Sequence, residues 1–251
     1  MTQTATRWWL ANDLSDIYVD GHGSALLDTR DQELIARAEK SFAHAEHRLD
    51  NHKNEYDRID AVLALKRAMD TRLEHLNSIY QFTQHPNAKS HGWLAVLESW
   101  GFVKQRTLRR IRRLRNAVEH DGVAPPDLDE CEDYREVTWW FLRGTLGLLT
   151  PVLDFDFELG DSGKVHGSCD LSYNPLQITL TATVTPEMLS DSPLPGWIEM
   201  ETLPALALRY QGKTTPVEDP DTATYYLCAK VTDWASVQPF LGIAMEMIAH
   251  R

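Results

Sequence analysis

Arg115-Asn116-Ala117-Val118-Glu119-His120 ends a helix-like run that carries Lys104, Arg106, Arg109, Arg110, Arg112, Arg113 and Arg115, with no acidic residue between Gly101 and Val118. Arginine suits a phosphate because its planar, permanently charged fork donates paired hydrogen bonds. Histidine can take or give a proton near neutral pH. Together they suffice for RNA cleavage without a metal. One group helps deprotonate a ribose 2′-hydroxyl, the oxygen attacks the adjacent phosphate, and another group protonates the leaving oxygen. Lys104, Arg109, Arg110, Arg112 and Arg113 would hold the RNA backbone in a concentrated positive field.

Thr107, Ile111, Leu114 and Val118 form one apolar stripe that would pack this helix on its neighbours. Arg115 and His120 are about 140° apart on a straight helix. Either the helix loosens near Asp121-Gly122, or the two groups act from different angles, or a second subunit completes the site.

The whole chain carries a net charge of −12, which by itself argues against a nucleic-acid partner. Its distribution points the other way, because outside the basic run 18 basic residues face 37 acidic ones. An acidic body with one basic helix would focus a polyanion onto a single face. The 251 residues allow one large or two ordinary domains, and 43% hydrophobic with 25% charged residues is a globular composition. Cys131, Cys169 and Cys228 are odd in number, far apart and without a CxxC pair, which fits a reducing cytoplasm. The first ten residues lack the pattern of a secretory signal. Val137 to Leu153, the most apolar stretch, is broken by Arg143 and Pro151 and reads as a core helix rather than a membrane span.

The elements that must position the basic helix are legible as periodicities. Residues 1–28 show none that is sustained and read as an arm, with Trp8 and Trp9 available to anchor it on the helices or on a second subunit. Thr29-Arg30-Asp31-Gln32 has the form of a capping box, followed by Leu34, Ile35, Ala38, Phe42, Ala45 and Leu49 at helical spacing. A second helix runs through Ile59, Val62, Met69, Leu73, Leu76 and Tyr80 and is ended by Gln84-His85-Pro86-Asn87. A short helix with Leu94, Leu97 and Trp100 stops at Gly101, and a further helix spans 127–149. Beyond Pro151, residues 152–159, 176–185, 206–210 and 224–231 alternate in the manner of strands, and Ser236 to His250 reads as a terminal helix. The expectation is an α+β protein: an arm over 1–28, an up-and-down helical bundle over 29–149, and a smaller mixed α+β domain over 150–251.

Arg115-Asn116-Ala117-Val118-Glu119-His120, near the end of the penultimate helix, resembles the motif of the HEPN superfamily, in which an Arg is followed after four to six residues by a His. Leu63-Ala64-Leu65-Lys66-Arg67-Ala68 to Tyr80, and the short helix and turn from His91 to Lys104, are also similar to bacterial members. The resemblance covers roughly 30–149. It implies a helical bundle that forms a homodimer with two motifs facing one cleft, and a metal-independent endoribonuclease of toxin or phage-defence type. Such an enzyme leaves 2′,3′-cyclic phosphate and 5′-hydroxyl ends. Carried over by position, Arg115 would stabilise the phosphoryl transition state and His120 would act as acid or base, with Asn116 and Glu119 shaping the site. RNA and an antitoxin or regulatory protein are the partners implied, with no cofactor and no membrane. Some relatives carry a modified Tyr two residues after the His, where this chain has Gly122. The alternative is a non-catalytic RNA- or protein-binding or dimerisation module of the same family.

Other groups carry less. His44, Glu46 and His47 could offer ligands from one helix but lack a third convergent donor, so no metal is expected. Trp139, Trp140 and Phe141 lie in an apolar helix without basic interleaving and read as core or interface aromatics. No Gly-rich phosphate loop, HExxH, GxSxG or EF-hand pattern is present.

Overall fold

Helices and one large antiparallel sheet build the chain in a computed structural model. It describes residues 7–11, 14, 17–82, 85, 88, 92–104, 106–107, 109–110, 113, 126–159, 165–184, 189–190, 192, 197–202, 209–210, 213–214 and 225–250. The chain forms two compact units, one of residues 25–151 with 248–251, the other of residues 1–24 with 152–247.

The helical unit is built on α1 (Thr29–Asp50) and α2 (Glu55–Tyr80), followed by the short α3 (Trp93–Ser99) and by α4 (Leu128–Gly144). Capping boxes start both long helices. Asp28 accepts from the Asp31 amide at 2.8 Å, and its own amide donates to Asp31 at 3.0 Å. Asn54 and Asp57 form the same reciprocal pair at α2. The box at α1 therefore sits one residue before the Thr29 to Gln32 box read from the sequence. Asp28 wins because its carboxylate meets the Asp31 amide and the positive end of the helix dipole, while the Asp31 carboxylate takes the Asp28 amide. Ala38, Phe42, Ala45 and Leu49 on α1 are buried, as are Val62, Leu65, Met69, Leu73 and Leu76 on α2 and Tyr134, Val137, Phe141 and Leu142 on α4. α2 ends at Gln81, which takes the left-handed conformation at φ 48°, before the Pro86 that the sequence offered as its stop. Gly101 has φ +83° beyond α3, the conformation expected of a glycine stop.

The sheet unit is built on a large sheet of seven antiparallel strands among the described residues. They are β1 (Arg7–Ala11), β2 (Ile17–Ser24), β3 (Val152–Leu159), β4 (Val165–Tyr173), β5 (Leu176–Val184), β6 (Trp197–Thr202) and β9 (Tyr225–Val231). Their order across the sheet is β1-β6-β9-β5-β4-β3-β2. β7 (Arg209–Tyr210) and β8 (Lys213–Thr214) form a separate two-stranded piece, and α5 (Trp234–Ala249) closes the unit. One face is apolar: Phe155 and Phe157 of β3, Ile178 and Leu180 of β5 and Leu227 of β9 are buried, as are Phe240 and Leu241 of α5. The Phe157 and Phe240 rings meet edge to face with centroids 6.1 Å apart, which places α5 on that face.

Two strands correct the reading of residues 1–28 as an irregular arm. β1 pairs with β6, with Trp8 opposite Met200 and Trp9 opposite Glu199, and β2 pairs with β3. The tandem tryptophans therefore belong to a strand of the sheet unit. The helical segment is inserted in the chain between β2 and β3. The coarse α+β class holds, with helices in the N-terminal half and an antiparallel sheet built largely from the C-terminal half. Among the described residues, no helix is long and apolar enough to cross a membrane.

Candidate functional site

The basic segment is described only in part. Arg106, Thr107, Arg109, Arg110 and Arg113 are helical, and Lys104 precedes them in irregular backbone. Lys104, Arg109 and Arg113 are exposed, whereas Arg110 is half-buried and its Nη2 lies 3.2 Å from Asp133 of α4. At least one cation of the run is therefore engaged by a carboxylate within the unit. Arg112, Arg115, Asn116, Glu119 and His120 lie outside the described residues.

Elsewhere the titratable groups have separate partners. His44 Nε2 is 3.4 Å from Asp60 and His47 Nδ1 is 3.3 Å from the Asn51 side chain, so the two imidazoles on α1 do not converge. No group of three metal-ligating side chains occurs among the described residues. On the sheet's polar face, Asp20, Asp156, Glu158, His166, Ser168 and Thr181 border a shallow basin of about 290 Å³. Ser168 and Thr181 share a hydroxyl hydrogen bond of 2.7 Å, while His166 Nδ1 lies 3.1 Å from Glu158. The hydroxyl and the imidazole thus have different partners, and among the described residues of this face no nucleophile is joined to a base. Asp170 lies directly opposite Asp154. Burial raises its carboxyl, and the like charges of Asp154 and Asp156 raise it further.

The helical unit aligns exposed apolar side chains along its helices. From Ala61 onward α2 is buried on most sides, but Tyr56, Ile59 and Leu63 remain 72%, 38% and 40% exposed. Their spacing of three and four places them in one row along the helix. Arg67 and Glu74 continue the same row as exposed charges. On α4, Trp139 and Trp140 are 39% and 58% exposed and pack edge to face at 4.8 Å, while Phe141 is buried. A signal in the sequence separates these three aromatics. The buried row of α4 is Cys131, Tyr134, Val137, Thr138, Phe141 and Leu142, and both tryptophans fall off it.

Residues 35–73 match the ATP synthase, Delta/Epsilon chain, long alpha-helix domain. The match runs from the first turns of α1 through most of α2 and covers the helical hairpin alone. No curated protein and no solved structure matches the chain. This finding overturns the HEPN resemblance and what it implied: a ribonuclease, its toxin or defence role, and RNA, a homodimer copy or an antitoxin as partners. The physical reason for the miss lies in the motif itself. An Arg and a His a few residues apart occur by chance on basic helices, and Arg37 and His44 of α1 satisfy the same loose spacing.

Proposed function

We propose that the helical unit is a protein-binding module and that the outer row of α2 is a contact surface for a partner protein. The exposed row Tyr56, Ile59 and Leu63 carries this reading. One exposed apolar side chain needs no explanation, but three aligned on a helix that is buried on most sides from Ala61 onward form a stripe that a groove on a partner can receive. The hairpin match supports the same reading, because the family it names is a chain of a multi-subunit enzyme. That family's assembly is the first place to look for the partner.

Magnitudes set what the row can do. Covering the part of these side chains still in water offers roughly 2–4 kcal/mol before association costs. Micromolar affinity needs about 8 kcal/mol net. The row therefore orients a partner and must be helped by further contacts. A photo-crosslinking residue at position 63, introduced in the cells that make the protein, tests this. A discrete adduct with a different polypeptide is expected, and its loss is expected when Tyr56 and Ile59 are changed to Glu.

A further inference from the structure

A second unpartnered surface lies between α1 and α4. Two ion pairs fix these helices antiparallel: Arg135 Nη1 is 2.9 Å from Asp50, and Arg143 Nη2 is 3.7 Å from Glu39. Between the pairs runs an open groove of about 440 Å³. Phe42 and Trp139 supply its aromatic surface, and Glu46, Glu132, Asp133 and Glu136 its carboxylates.

The arginines already present show which chemistry this surface holds. Arg135 bridges Asp50 and Glu132, the latter at 2.6 Å, and Arg110 reaches Asp133. Arg143 lies over the Trp139 ring, 5.9 Å from its centroid, in the range of a cation–π contact. Glu46 and Glu136, by contrast, have no ion-pair partner among the described residues. They flank an indole that is 39% exposed, and Trp140 extends the aromatic surface beyond it. Carboxylates around an aromatic face attract a cation and repel phosphate.

We propose that this groove docks an arginine- or lysine-bearing segment of a partner protein, with the cation seated between Glu46 and Glu136 against Trp139. The inference rests on the reading of the helical unit as a protein-binding module, and supplies contacts that the α2 row lacks. Charge complementarity selects the occupant. The rim excludes polyanions, while an uncharged apolar segment would leave Glu46 and Glu136 desolvated without compensation.

The experiment is a calorimetric titration of the full chain with a synthetic tetra-arginine amide, repeated with tetraglutamate. The Trp139 indole N–H resonance is followed alongside, identified by its loss in Trp139→Phe. Glu46→Gln with Glu136→Gln is expected to weaken tetra-arginine binding at least tenfold and to abolish the shift of that resonance. Glu33→Gln with Glu246→Gln, exposed carboxylates of α1 and α5 outside the groove, is expected to leave both unchanged. All four substitutions are nearly isosteric on incompletely buried side chains, so folding is not at stake. Equal weakening by both pairs would mean attraction to net charge alone and would overturn the proposal. Absence of binding by millimolar peptide, or an unmoved Trp139 resonance, would overturn it too. A position 63 adduct without peptide binding removes the groove and keeps the α2 row, and peptide binding without the adduct does the reverse.

Discussion

Arg72 Nη1 donates a hydrogen bond to the main-chain oxygen of Leu142 at 3.0 Å, so a cation of α2 that is 1% exposed caps the C-terminal turn of α4. The last carbonyls of a helix lack partners within it and carry the negative end of its dipole, which suits a guanidinium. The same Nη1 lies 3.4 Å from the Thr145 hydroxyl. Burial pushes the guanidinium pKa down to about 10, against an opposing pull from Glu39, so Arg72 stays charged at neutral pH. Among the described residues its Nε and Nη2 have no hydrogen-bond partner, which makes this cap costly as well as specific.

Arg72→Ala is expected to lower stability by about 2–4 kcal/mol, from the cavity and the uncapped carbonyl together. Arg72→Met, which fills the space and removes two unpartnered donors, is expected to lose half of that or less. Urea denaturation with an unchanged slope checks both.

Asp31 links the start of α1 to α2, because it accepts from the Asp28 amide and lies 2.8 Å from Nε2 of the buried His75. Burial raises its carboxyl, but the Asp28 amide and His75 outweigh this and hold it below the usual carboxylate range. A depressed carboxyl contributes stability that is full above its unfolded pKa and lost as pH falls through the folded one. Asp31→Asn is therefore expected to lower stability at neutral pH and to flatten its fall in acid. Thermal melts at several pH values between about 2 and 7 measure the difference.

The three thiols are expected to be sluggish toward alkylation in the folded protein. Burial pushes Cys131 up to about 11 and raises Cys169 and Cys228 as well, with nearby acidic groups adding to all three. Cys131 and Cys169 are buried while Cys228 is half-buried. Iodoacetamide near pH 8 followed by mass spectrometry should label Cys228 first and the other two only on unfolding.

Gly167 is required by close packing. A methyl group there would meet the Phe157 ring at 2.6 Å and the Thr181 carbonyl at 2.9 Å. Gly167→Ala is expected to cost about 1–3 kcal/mol. Gly21→Ala, with nothing within 4 Å of the added carbon, is expected to change stability by less than about 0.5 kcal/mol. Paired denaturation curves separate the two.

The sequence shows the helices and the regular strands because their periods are clear. Leu176 to Val184 alternates fully, and the apolar rows of α1 and α2 recur at helical spacing. β4 is harder to read, because Val165-His166-Gly167-Ser168-Cys169-Asp170 mixes small and polar residues and puts a glycine on the packed face. β2 hides its period behind Gly21 and Gly23 and a register shift after Val19. Gly23 is explained only by its neighbour: its amide donates to Asp154 at 3.1 Å, and a methyl group would run into that carboxylate. The α1–α4 groove depends on which rows of two distant helices face each other, which no local pattern gives. The local pattern of the basic run points to Arg115 and His120, whereas the aligned exposed side chains of α2 and the exposed tryptophans of α4 emerge only from burial in the folded chain.

Cross-linking from position 63 in the native cell tests the central claim most directly, namely that the α2 row holds a partner protein. The expected result is one discrete adduct with a different polypeptide, lost when Tyr56 and Ile59 are changed to Glu, in a protein whose stability stays within about 0.5 kcal/mol of the parent. Adducts only with a second copy of the chain, or an adduct that survives the two Glu substitutions, would contradict it.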